Sequence, residues 1–195
     1  MVIVTDQGNG RLQSFTLDGR FLREVGKQGT GDGELKEPTG VVLSPTTGEI
    51  YVSDYQNCRV QVFDRHGHFL RKFGTAGEGE GEFKHPSGIA LSQDNHLVVA
   101  DYQNDRLQVF EAQTGRFVHT IGVHGDGKGQ FERPFDVAVS SDGHILATDY
   151  ENHRVQVLSP SGEYVTEFGS HGTGDAQFDS PGGCLLYTSP SPRDS

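Results

Sequence analysis

One ten-residue frame, Asp-x-x-Asn-x-Arg-(Val/Leu)-Gln-x-(Phe/Leu), is written four times in this chain, at residues 6–15, 54–63, 101–110 and 149–158. The copies start 48, 47 and 48 residues apart. A self-similar unit at that period builds a stacked or radial array, in which each unit buries its faces against its neighbours. A single conventional core is a poor fit on composition too. Only 33% of the 195 residues are hydrophobic, Trp is absent and 27 residues are Gly. Many short strands joined by tight turns accommodate that composition.

The second copy shows the unit whole. Apolar runs at residues 41–43, 50–52, 59–63 and 68–73 are separated by Pro, Gly and Asn turn signals, which predicts a four-stranded antiparallel meander. The same pattern gives blades at about 1–26, 38–74, 86–122 and 134–169, the first lacking its opening strand, with the start of a further unit at 181–183. A Gly-rich loop joins each meander to the next and ends on one apolar residue before a Pro. Leu35, Phe83, Phe131 and Phe178 are therefore expected to plug the space between blades. The acidic Gly-rich run at 78–82 reads as a solvated loop, because it lacks the ligand spacing of a calcium loop.

The Pro-x-Gly-(Val/Ile) openings at Pro38 and Pro86, the repeated frame and the Phe-Gly closes at Phe73 and Phe168 resemble NHL repeats. The resemblance runs from residue 2 to residue 183, and the Gly-rich loops are most similar to those of tripartite-motif NHL proteins. It implies an all-β propeller of which this chain holds about four blades of an expected six, arranged as an open arc. In that family the propeller follows RING, B-box and coiled-coil segments. The zinc-ligand patterns of the first two are not in this sequence, so the ubiquitin-ligase activity of a RING is not assigned to these residues. Residues 184–195 look like translated sequencing adapter and are read as a non-native tail, although Cys184-Leu185-Leu186 stands where Val41-Val42-Leu43 follows its Gly.

Recurrence separates architecture from function. Asp6, Asp54, Asp101 and Asp149, with Arg11, Arg59, Arg106 and Arg154, occur in every copy and are expected to brace the turn between the second and third strands. Positions that differ between blades carry the information about a ligand. The residue before the Arg is Gly10, Cys58, Asp105 or His153, and the one before the blade-opening Pro is Glu37, His85, Arg133 or Ser180. On this reading the fourth blade gathers Lys128, Arg133, Phe135, Asp136, Tyr150 and His153 on one rim. Cations beside aromatics fit single-stranded RNA, and a peptide-binding or merely solvated rim is an equal alternative.

Other classes find less support. The net charge of −11 disfavours DNA and anionic membranes, and no stretch approaches the roughly 18 apolar residues of a spanning helix. The nine His form no His-x-x-x-His pair, and Cys58 and Cys184 stand far apart, so no metal, cofactor or disulfide framework is expected and the compartment reads as cytoplasmic. Some NHL-like propellers are metal-dependent lyases or lactonases. The strand expected to line the channel here offers Val41, Ile89 and Val137, with Asp136 alone polar at its mouth. The expectation is an interaction platform without catalysis, whose blades self-associate through exposed ends; the alternative is a propeller enzyme with its site in other blades.

Overall fold

The computed structural model describes residues 1–184. The adapter-like stretch from 185 onward, and with it most of the strand expected from residue 184, lies outside the described residues. Every sheet is built from consecutive strands. β1 (Val2–Asp6), β2 (Arg11–Phe15) and β3 (Phe21–Val25) form a three-stranded first blade. A short parallel pair, β4 (Lys27–Gln28) with β5 (Glu34–Leu35), ties the ends of the following loop.

β6 (Pro38–Leu43), β7 (Ile50–Asp54), β8 (Arg59–Phe63) and β9 (Phe69–Phe73) make the second blade. The next loop carries the parallel pair β10 (Thr75–Ala76) and β11 (Glu82–Phe83). β12 (Pro86–Leu91), β13 (His96–Asp101), β14 (Arg106–Glu111) and β15 (Phe117–Ile121) make the third blade. β16 (Pro134–Val139), β17 (Ile145–Asp149), β18 (Arg154–Leu158) and β19 (Tyr164–Phe168) make the fourth. All pairings within blades are antiparallel, and the innermost strands β1, β6, β12 and β16 pack on one another in series. This is a run of propeller blades.

The blades share cores instead of owning them. Leu35 packs with Leu12 and Val25 of the first blade and with Ile50, Val52 and Phe63 of the second. Phe83 joins Val60 and Val62 to Leu97 and Phe110, and Phe131 joins Leu107 and Ile121 to Ile145 and Leu158. Each of these three plugs has no exposed surface. Phe178 is only half-buried, having a blade on one side alone. Gly74 shows why the close of a blade must be Gly: its φ is +89°, and a Cβ there would stand 2.5 Å from the Phe83 ring. Ile89 and Val137, expected along the channel, are instead buried in these interblade cores, because a bulge after Pro86 and after Pro134 turns them inward.

Candidate functional site

A meander places its second-to-third turns and its interblade loops on one rim, and here the repeated frame fastens the two together. Asp54 pairs with Arg59 across the end of β7 and β8. Asp54 Oδ2 accepts from Arg59 Nε at 2.8 Å and Gln61 Nε2 at 3.0 Å, while Oδ1 accepts from Lys36 N at 2.7 Å. Arg59 Nη2 then donates to Gly31 O and Glu34 O, and Asn57 Nδ2 to Gly29 O. The third and fourth blades repeat this around Asp101–Arg106 and Asp149–Arg154. All three carboxylates are fully buried. Burial pushes the Asp101 carboxyl upward against the donors that hold it. In the first blade, Arg11 bonds Asp6 and Glu24 and makes no loop contact among the described residues. Hydrogen bonds from Asn9 and Arg11 keep the more open Asp6 below the usual carboxylate range.

The two variable series share a backbone conformation. Gly10, Cys58, Asp105 and His153 all have φ between 51° and 62°, and Glu37, His85, Arg133 and Ser180 between 54° and 59°. The second series is left-handed immediately before a Pro. Non-Gly residues pay for that conformation, and such strain concentrates at working surfaces.

Between these positions the rim carries a continuous band of rings. His85 stacks on Tyr55 with centroids 4.6 Å apart and planes 13° from parallel. Tyr55 lies 6.3 Å from Tyr102, which meets Phe135 edge-on at 5.7 Å and Tyr150 at 6.3 Å. Phe135 and Tyr150 close the band at 5.9 Å. Each Tyr follows the bracing Asp, so the brace that fixes the turn also aims the ring. Gln7 fills that place in the first blade, which has no such ring. All five rings are partly exposed, and His85 Nδ1 is buried without a partner among the described residues. Burial, then the neighbouring Tyr102, raises the Tyr55 hydroxyl pKa.

The residues singled out in the fourth blade do not form one group. Arg133, Phe135 and Tyr150 join the band: the Arg133 guanidinium sits 5.9 Å from the Tyr102 centroid and bonds Glu151 at 2.9 Å. Lys128 lies elsewhere, over the Tyr164 ring of the outermost strand, because the middle of the Gly-rich loop swings outward. Asp136 points between inner strands. Its Oδ1 accepts from Val137 N and its Oδ2 from Cys184 N, at 2.9 and 2.8 Å, and burial raises its pKa. His153 pairs instead with His171, ring centroids 4.3 Å apart, and Ser180 N donates to its Nδ1. With Asp179 these two place ligand atoms within 4.8 Å of one another, the group among the described residues best able to hold a metal ion. Tyr55 and Tyr102 lie outside the variable positions that the sequence marks, and their signal is the Asp-Tyr-x-Asn spelling at residues 54, 101 and 149; His85 is one of those variable positions.

Four-stranded blades sharing interblade cores define this chain as part of a β-propeller. Within that class, residues 35–63, 83–110 and 131–158 each match the family model described as the NHL repeat. Each match begins at a plug and ends with the repeated frame. Among solved structures, hydrazine synthase from Kuenenia stuttgartiensis is similar at 18% identity and a TM-score of 0.64, over 85% of this chain and 44% of that one. Virginiamycin B lyase from Staphylococcus aureus is similar at 19% and 0.61, over 85% and 50%. A gluconolactonase from Xanthomonas campestris is similar at 17% and 0.64, over 92% and 59%. At such identities the likeness is one of fold alone. The chain spans about half the length of these structures. No curated protein matches it in sequence.

Proposed function

We propose that this run of blades is a recognition module, and that its ligand is an extended peptide segment of a partner protein laid along the band from His85 to Tyr150. The observation that carries the reading is the band itself: five partly exposed rings from three blades, held by buried braces. Preformed aromatic surfaces take apolar, Pro or cationic side chains at little entropic cost. Peptide is favoured over RNA because Arg133 is already bonded to Glu151 and the chain carries a net charge of −11. The similarity to tripartite-motif NHL proteins supports a cytoplasmic parent with a RING ligase domain, for which this face would select the target. A lyase or lactonase reading has less to draw on, since the carboxylate of Asp136 is occupied by two backbone N–H groups.

Selection from a displayed short-peptide library tests the proposal. Peptides enriched on the protein should lose about 2 kcal/mol of binding in Tyr102→Ala, as expected for a central aromatic anchor. Enriched peptides indifferent to Tyr102→Ala would overturn it. A uridine-rich single strand whose binding falls both with Tyr102→Ala and with added salt would transfer the band to nucleic acid.

A further inference from the structure

The opposite rim, where the first-to-second and third-to-fourth turns lie, is filled differently from junction to junction among the described blades. In the second blade Glu49, Tyr51 and Arg71 fill the gap toward the third. Arg71 bonds Glu49 through both Nη atoms at 2.8 and 3.0 Å, and its Nη2 also donates to Ala112 O of the third blade. Arg23 makes the corresponding reach from the first blade to Arg65 O. Strand register puts His96, Val98 and His119 of the third blade where the second has Glu49, Tyr51 and Arg71. The corresponding acceptor residue in the fourth blade is Pro160, and His119 is too short to span to it as arginine does.

The three shorter side chains leave the junction unfilled. A cavity of about 400 Å³ opens there, with Val98, Val109, Val139 and Ile145 as an apolar wall and His96 and His119 on a polar side that also includes Ser92, Gln93 and Ser141. That is the size of a small-molecule pocket. His119 Nε2 is buried and has no partner among the described residues. Burial, then the adjacent His96, depresses the His119 pKa, so the ring is uncharged near neutral pH. Asp94 and Asp142 stand exposed among the lining residues and oppose anions.

We propose that this junction between the third and fourth blades is a binding site for an uncharged, largely apolar small molecule with one hydroxyl head group, the hydroxyl meeting the imidazole side formed by His96 and His119 and the hydrocarbon body lying against the valines. A hydroxyl both donates and accepts, so it satisfies either imidazole tautomer. The site is independent of the aromatic band, and it is formed by two four-stranded blades.

Titration calorimetry on the whole chain with para-butylphenol, butylbenzene and para-butylbenzoate tests each part. The phenol should bind, the hydrocarbon about three- to tenfold more weakly for want of the hydrogen bond, and the anion more weakly than the phenol. The variant carrying His96→Glu, Val98→Tyr and His119→Arg transplants the second blade's filling and should abolish binding while keeping the thermal midpoint or raising it. Should that variant fail to fold, Val139→Phe, which fills the cavity from the facing blade, serves the same purpose. Phenol binding that survives the filling variants, equal binding of phenol and butylbenzene, or no phenol binding would each overturn the proposal.

Discussion

Arg59 Nε lies 2.8 Å from Asp54 Oδ2, and the far end of the same guanidinium donates to Gly31 O and Glu34 O in the loop that enters its blade. One side chain thus joins a turn, a buried carboxylate and an interblade loop. Removing it strands a buried charge, so Arg59→Ala should cost about 3–5 kcal/mol in urea melts. Arg11→Ala, at a more open pair without loop contacts among the described residues, should cost clearly less. Equal losses would mean that the loop contacts contribute nothing.

Backbone conformation gives a second prediction. Gly33, Gly81 and Gly129 all have φ between 72° and 77°, and Ala176 occupies that place in the fourth loop at 57°. A Cβ at Gly81 would meet nothing closer than 3.8 Å, so Gly81→Ala isolates the conformational cost. It should destabilise by about 1 kcal/mol by denaturant melt. An unchanged midpoint would show that the loop relaxes freely.

Glu49, Tyr51 and Arg71 set the pH limits of the second junction. The Arg71 hydrogen bonds hold the Glu49 carboxyl below its usual range, so its contribution is complete above the unfolded pKa of about 4.3 and is lost as pH falls through the folded value. Tyr51, pushed up to about 12 chiefly by burial, behaves in the opposite sense: its contribution holds below about 10 and is lost as pH rises toward about 12. Glu49→Gln should therefore flatten the acid limb of a stability–pH profile. An acid limb identical to that of the parent would exclude this pair as its source.

The ends of the run expose Val2 and Val4 on one side and Phe168 on the other, each between 43% and 49% accessible, the last beside the half-buried Phe178. Contiguous apolar surface of this kind drives association. Light scattering on the 195-residue chain should show mass rising with concentration, and Phe168→Ser should reduce the rise. A monodisperse monomer with a sharp melt would contradict this.

Much of the fold was legible because each strand boundary is marked by the same residues in every copy. Asp54, Arg59 and Gly74 announce a turn, a brace and a plug seat by recurrence alone. The aromatic band is less legible: Tyr55 and Tyr102 recur, so differences between copies do not mark them, although a radial array brings recurring rings together on one rim. Lys128 shows the converse, since proximity in sequence to Arg133 says nothing about which way a Gly-rich loop swings. The cavity needed strand register, because only register aligns His96, Val98 and His119 with Glu49, Tyr51 and Arg71.

The central claim is that the band from His85 to Tyr150 receives an extended peptide, and amide hydrogen exchange with and without a selected peptide tests it most directly. The account predicts added protection in the turns at 55–57, 102–104 and 150–153, and none in the turns of the opposite rim at 92–95 and 140–143. Protection confined to the opposite rim or to the outermost strands would contradict it.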